Sequence, residues 1–145
     1  MRLSQKVTLV SFHRGEQLSP HFKGAEFVCP CCGTGIIAME LIYALEKMRA
    51  DLGMPIIVTS GYRCPKHNAE IGGARDSYHM MGLAADITVR EMEIKTIARL
   101  LVKIAMQVGF TGVILYPKHV HVDLRFHPYF RINSEGGDRD DEGEM

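Results

Sequence analysis

No stretch of this 145-residue chain runs for 18 or more apolar residues, so a membrane-spanning helix is not expected. The opening residues, Met1-Arg2-Leu3-Ser4-Gln5-Lys6, lack the apolar segment and small-residue cleavage site of a secretory signal. The expectation is therefore a chain that is cytoplasmic as synthesised. Net charge is absent too, with 17 basic and 17 acidic residues. No basic stripe interleaved with aromatics is present, which argues against a nucleic-acid partner. Cys29-x-x-Cys32, with Cys31 between them, is half of a zinc-knuckle pattern, yet no second CxxC or CxxH follows at the usual spacing, and Cys64 is the only cysteine that could supply a fourth sulfur. Three readings of the four cysteines stay open: reduced thiols buried as small hydrophobes, a disulfide, or a structural metal. Internal repeats are also missing.

What is present suits one compact domain. A 46% hydrophobic content over this length supports a single core and not two. Residues 134–145 hold six acids and one arginine, a net of −5, which leaves the body at +5. That Gly-rich, apolar-poor end is expected to be a disordered acidic tail behind a domain of residues 1–133. A mildly positive body suits an anionic substrate. The oligomeric state is not fixed by the sequence; a monomer is the working expectation.

Apolar residues recur at three- and four-residue steps from Ile36, Ile37 and Met39 through Leu41, Ile42, Leu45, Met48 and Leu52, and Gly53 with Pro55 stops them: a long helix. Upstream, "KVTLVSFH" is ambiguous, and "HFKGAEFVC" brings Phe22, Phe27 and Val28 to a core. "PIIVTSGYR" reads as a buried strand that delivers Arg63 just beyond its end, and "CPKHNAEIGGA" as a short helix closed by Gly72-Gly73. "LAADITV" is a second strand. "EMEIKTIARLLVKIAMQVG" is a second long helix with Gly109 as its stop. "GVILYP" and "HVHVDLR" are strands joined by a tight turn at Pro117-Lys118. Because residues i and i+2 of a strand share a face, His119, His121 and Asp123 point one way, and Val120, Val122 and Leu124 point into the core. The fold class is α+β, a small antiparallel or mixed sheet with helices packed on one side.

Within "SYHMMGLAAD", His79 and Asp86 stand seven positions apart across small residues that let the chain turn back on itself. Adding His121 gives three side chains of the types that hold catalytic zinc and leave the fourth position to water. Such a metal lowers the pKa of its water towards about 7 and polarises a carbonyl, as amide hydrolysis requires. A capping aspartate with two strand-surface histidines is the plainer alternative.

The pattern SxHxxGxAxD, filled by Ser77, His79, Gly82, Ala84 and Asp86 and followed by "HVHVD", resembles the zinc peptidases of the D-alanyl-D-alanine carboxypeptidase type, peptidase family M15. These share a fold with the hedgehog signalling domain and include phage-encoded peptidoglycan endopeptidases. "SGYRCPKHNAEIGGA" is similar to the family's "SGYR…N…GGA" segment, so the likeness runs from "EFVCPCCG" to "HVDLR". The resemblance implies His79, Asp86 and His121 as ligands to Zn2+ and Arg63 as the residue that holds a substrate carboxylate, a task that a guanidinium fork matches. It places Ser77 near the metal, bonded to the substrate or to its own loop. His119 is the candidate to bear oxyanion charge or shuttle a proton.

One position departs from the family: the acid expected three residues before the last zinc histidine is Lys118. A lysine ammonium does not accept a proton at neutral pH, which leaves His119, Asp123 or a distant acid such as Glu70 for that step. Asp123 has a second reading, as the group that orients His121 or pairs with Arg125. His13, His21, His67 and His127 are read as ordinary surface or packing histidines, and Tyr62, Tyr78 and Tyr116 as core or cleft residues. The implied activity is hydrolysis of an amide in peptidoglycan stem peptides, by a carboxypeptidase or an endopeptidase, in a phage or prophage lysis setting. The rivals are a zinc-bearing binding module of the same fold without hydrolysis, and a cysteine-based metal or redox protein.

Overall fold

In a computed structural model, which describes residues 7–90 and 94–133, the first long helix, α1, spans Met39–Leu52. Leu41, Ile42, Leu45 and Met48 bury one face of it in the core. The outward side carries exposed Tyr43 and a Lys47–Asp51 pair at 2.8 Å, four residues apart. Gly53 ends it in the left-handed conformation, φ 77°, and donates its N–H to Arg49 O. Truncating Leu45 to alanine would cost about 2–5 kcal/mol, the usual range for a fully buried leucine.

Helix α1 begins later than the apolar spacing suggests. Ile36 and Ile37 belong to a strand, β4 (Thr34–Ala38), antiparallel to β1 (Leu9–His13) with Val10 opposite Ile37. Cross-strand pairing overrides the helical period here, and Gly35 leaves room for the Phe12 ring, which any Cβ would strike. The same pairing resolves the ambiguous opening segment as β1. A two-stranded ribbon, β2 (Gln17–Ser19) and β3 (Phe22–Lys23), precedes Phe27, and Phe22 and Phe27 are buried edge to face.

The main sheet has five strands: β5 (Ile57–Ser60), β6 (Ala84–Thr88), β7 (Gly112–Leu115), β8 (Val120–Asp123) and β9 (Tyr129–Ile132). Their order is β5-β6-β8-β7-β9, antiparallel except for the β7–β9 pair, so the sheet is mixed. β5 is a half-exposed edge strand, not a buried one, because only β6 pairs with it. The short helix α2 is Pro65–Glu70, and α3 covers Ile94–Gln107, packing on β7, β8 and α1 through Ile97, Leu101, Ile104 and Ala105. The acidic segment 134–145 and the first residues of the segment read as the second long helix lie outside the described residues.

Register divides the sheet into two faces. Ala85 sits opposite Val122, Ile87 opposite Val120 and Val113 opposite Val122; all are buried on the side that meets the helices. The alternate set, Asp86 opposite His121 and Ala84 and Gly112 opposite Asp123, faces the other way. Both faces are covered. His121 and Asp123 are as buried as Val120 and Val122. None of the described helices is long and apolar enough to cross a membrane.

Candidate metal centre

Three elements deliver the central residues. β6 carries Asp86, β8 carries His121 directly across from it, and a 3₁₀ turn, Tyr78–Met81, carries His79. Ser77 caps that turn, its hydroxyl accepting from His79 N–H at 3.1 Å. Gly82 closes it at φ 75°, where a Cβ would come within 2.5 Å of Ile36 O, so the turn seats against β4 only with glycine there.

The outer nitrogens of both imidazoles are tied down. His79 Nδ1 lies 2.8 Å from Gly61 O, and His121 Nε2 lies 2.7 Å from Asp123 Oδ2. A carbonyl or an ionised carboxylate only accepts, so each of these nitrogens carries the proton. The inner nitrogens meet at one point, His79 Nε2 3.3 Å and His121 Nδ1 3.2 Å from Asp86 Oδ1, where either protons or a shared cation would satisfy the carboxylate. With the outer nitrogens protonated, one cation in place of the inner protons would be met by three donors in a buried site. Four-coordinate zinc, with bonds of about 2.0–2.1 Å, requires donor separations of about 3.3 Å, so the residues fit such an ion.

Asp123 stands behind His121, on the ring nitrogen opposite the one that faces Asp86. Its Oδ1 accepts from Arg125 N–H at 3.0 Å and Nε at 2.9 Å, and its Oδ2 accepts from Arg125 Nη2 at 2.6 Å as well as from His121. Burial alone would raise this carboxyl, but the hydrogen bonds and charges of His121 and Arg125 outweigh it and hold the pKa at about 2. The guanidinium of Arg125 is clamped between the rings of Tyr78 and Tyr129, each 4.6 Å away. Asp123 is thus placed to orient His121 and pair with Arg125, the second of the two readings its sequence position allows: both oxygens are engaged and the residue has no exposed surface. Gly112 makes this possible, since a Cβ there would collide with the Asp123–Arg125 pair.

Arg63 is buried beside the cluster. Its Nη2 is 3.4 Å from Asp86 Oδ2, while Nε reaches Ser60 Oγ at 3.3 Å and Nη1 reaches Asn68 Oδ1 at 3.2 Å. Asn68 itself donates to Ala74 O at 2.8 Å. The asparagine of the "SGYR…N…GGA" segment thus holds Arg63, a role that its spacing alone does not reveal. His119 Nε2 lies 3.8 Å from Asp86 Oδ2, and its ring stacks on Tyr116 at 4.5 Å. Ser77, expected near the substrate, is 1% exposed and placed as the cap of its own turn. Lys118 and Glu70 are exposed, the first on the β7–β8 turn and the second at the end of α2.

A second group forms at the side of this site. Cys29, Cys31, Cys32 and Cys64 cluster together, and Cys31 and Cys32 are exposed, contrary to the reading of all four as buried packing thiols.

Comparison with known proteins bears on these residues directly. The family model described as Peptidase M15 matches residues 20–123, a span that includes both clusters. The zinc D-Ala-D-Ala carboxypeptidase of Streptomyces albus G is 34% identical over 85 residues, covering 57% of this chain and 32% of that protein. The chain therefore spans about a third of the length of the curated relative it matches.

Proposed function

The chain belongs to peptidase family M15, and from that premise we propose that it is a zinc-dependent peptidase that hydrolyses an amide bond in the stem peptides of bacterial peptidoglycan. The carrying observation is the convergence of His79 Nε2, Asp86 Oδ1 and His121 Nδ1 while both outer ring nitrogens are fixed by Gly61 O and Asp123. These three residues would hold the ion. Zinc so held supplies Lewis acidity, polarising the scissile carbonyl and bringing the pKa of water towards about 7.

The protein's own groups do the rest. Arg63, braced by Ser60 and Asn68 at the edge of the cluster, takes the carboxylate of the peptide and sets which amide lies over the metal. His119 is the titratable group that faces Asp86 from the β7–β8 turn, and it accepts the proton from water and passes it to the leaving amine. Tyr116, stacked on it, fixes the plane of its ring. A lytic role in a phage setting is the wider form of the same proposal and rests on the likeness of the motifs.

Digestion of defined muropeptides, followed by mass spectrometry, tests this. Peptide or D-alanine release that is abolished by chelator and restored by zinc is the expected result, and the product masses decide between carboxypeptidase and endopeptidase. Tight zinc binding without any release would favour the second reading, a zinc-bearing binding module. Lys118 at the position of the expected acid and the full engagement of Asp123 are what speak for that alternative.

A further inference from the structure

The four sulfurs beside the site lie within 4.8 Å of one another, and no part of the proposed reaction uses them. Among Cys29, Cys31 and Cys64 the separations are 3.2 Å for Cys31–Cys64, 3.5 Å for Cys29–Cys64 and 3.7 Å for Cys29–Cys31, with Cys32 within 4.8 Å of each. Four thiolates around one zinc, with bonds of about 2.3 Å, form a tetrahedron with edges of about 3.8 Å, so the group needs only a small adjustment to close on an ion.

Three of the donors come from a single tight turn. Cys29 N–H donates to Thr34 O at 2.7 Å, Gly33 N–H returns to Cys29 O at 2.8 Å, and Gly33 adopts φ 69° to make the bend. The fourth comes from the far side of the site, where Cys64 follows Arg63. Two backbone amides point at sulfur: Cys64 N–H at Cys29 Sγ, 3.3 Å, and His67 N–H at Cys64 Sγ, 3.4 Å. Amides so placed stabilise negative charge on the sulfurs. Packing does not explain the group, because Cys31 and Cys32 contribute little to any core while exposed.

We propose that Cys29, Cys31, Cys32 and Cys64 bind a second, structural zinc ion that ties the turn before β4 to the segment carrying Arg63. With four protein sulfurs there is no open position, which sets this ion apart from one held by His79, Asp86 and His121. Thiolate softness selects zinc over magnesium or calcium. The clasp continues a contact that backbone packing begins: Tyr62 N–H donates to Phe27 O at 2.8 Å, and Gly61 lies so close to Phe27 that a Cβ would sit 2.6 Å from its Cα. Residues 61–64 therefore carry in sequence the carbonyl that fixes His79, the guanidinium of Arg63 and the fourth sulfur. That the clasp positions Arg63 for substrate rests on the peptidase reading; the binding of zinc by sulfur does not.

The test uses the whole chain, purified under reducing conditions without chelator. Zinc per chain is expected to be two in the wild type, one in His79→Ala/His121→Ala and one in Cys31→Ser/Cys64→Ser. X-ray absorption on the histidine variant should show a sulfur shell at about 2.3 Å. Should a variant fail to fold, the wild type still decides: its four thiols should resist a disulfide reagent until a chelator removes zinc. One zinc in the wild type with immediately reactive thiols, a disulfide within the group, or iron in place of zinc would each overturn the proposal. Failure of the histidine site would register separately, as one zinc in both the wild type and His79→Ala/His121→Ala with the four thiols still protected.

Discussion

Replacing Asp123 with asparagine tests how far the centre depends on residues behind the ligands. The side chain keeps its shape and loses its charge. Two costs follow. His121 loses the carboxylate that fixes its tautomer and raises its basicity, which should weaken zinc binding at the histidine site about 10–100-fold, or about 1.4–2.8 kcal/mol. Arg125, 2% exposed and clamped between two tyrosines, loses its carboxylate partner, and breaking a buried pair in this way costs about 3–5 kcal/mol of apoprotein stability. Chelator competition measures the first and urea unfolding of metal-free protein the second. Adding Arg125→Met should return most of the stability and none of the affinity, separating the two.

The acid limb gives an independent readout of the same group. Asp123 titrates at about 2 when folded, against 3.8 ordinarily, so it stabilises the fold fully above about pH 4 and loses that contribution as pH falls to about 2. The gap, at about 1.4 kcal/mol for each tenfold, corresponds to about 2 kcal/mol. Wild type should lose this increment between pH 4 and 2, and Asp123→Asn should not. An asparagine variant with wild-type zinc affinity, wild-type urea midpoint and an unchanged acid limb would refute the reasoning.

Three further outcomes are expected. His119→Ala should lower kcat on a muropeptide about 10²–10⁴-fold while zinc content stays at the wild-type level, and Lys118→Ala, on the exposed turn, should leave kcat within about twofold; equal losses in the two would remove His119 from the proton path. Arg63→Lys should raise KM for carboxylate-bearing substrates more than for amidated ones, because an ammonium does not reproduce the fork; an identical shift for both would argue against carboxylate capture. Gly82→Ala should destabilise the fold by at least about 1–3 kcal/mol through its positive φ and the clash with Ile36 O, read as a lower urea midpoint.

Much of this molecule is legible in the sequence where one periodicity dominates. Alternation in "HVHVDLR" places His121 and Asp123 on one face and Val120 and Val122 on the other, and the β7–β8 hairpin follows from the Pro117-Lys118 turn. Where two periodicities overlap the reading slips: Ile36 and Ile37 continue the helical spacing of α1, but pairing with β1, a non-local term, claims them for a strand. Strand β9 went unread because Phe130 and Ile132 are exposed, so no buried stripe announces it, and the aromatic clamp of Tyr129 on Arg125 went unread with it. The cysteine group is countable in the sequence, where a structural metal is one of three open readings, but its closure is not legible there. Cys64 lies far along the chain from Cys29, and only the closure of Phe27 on Gly61 brings them together.

The pairing of Asp86 with His121 across β6 and β8 has a consequence for folding. Side chains alternate along a strand, so a slip of a single residue between these two would send one ligand into the helix-facing core and leave its neighbour behind. No partial site survives such an error. Zinc binding at His79, Asp86 and His121 would therefore require the central strands to have met in the right frame, and zinc present during refolding should raise the yield of correctly aligned molecules.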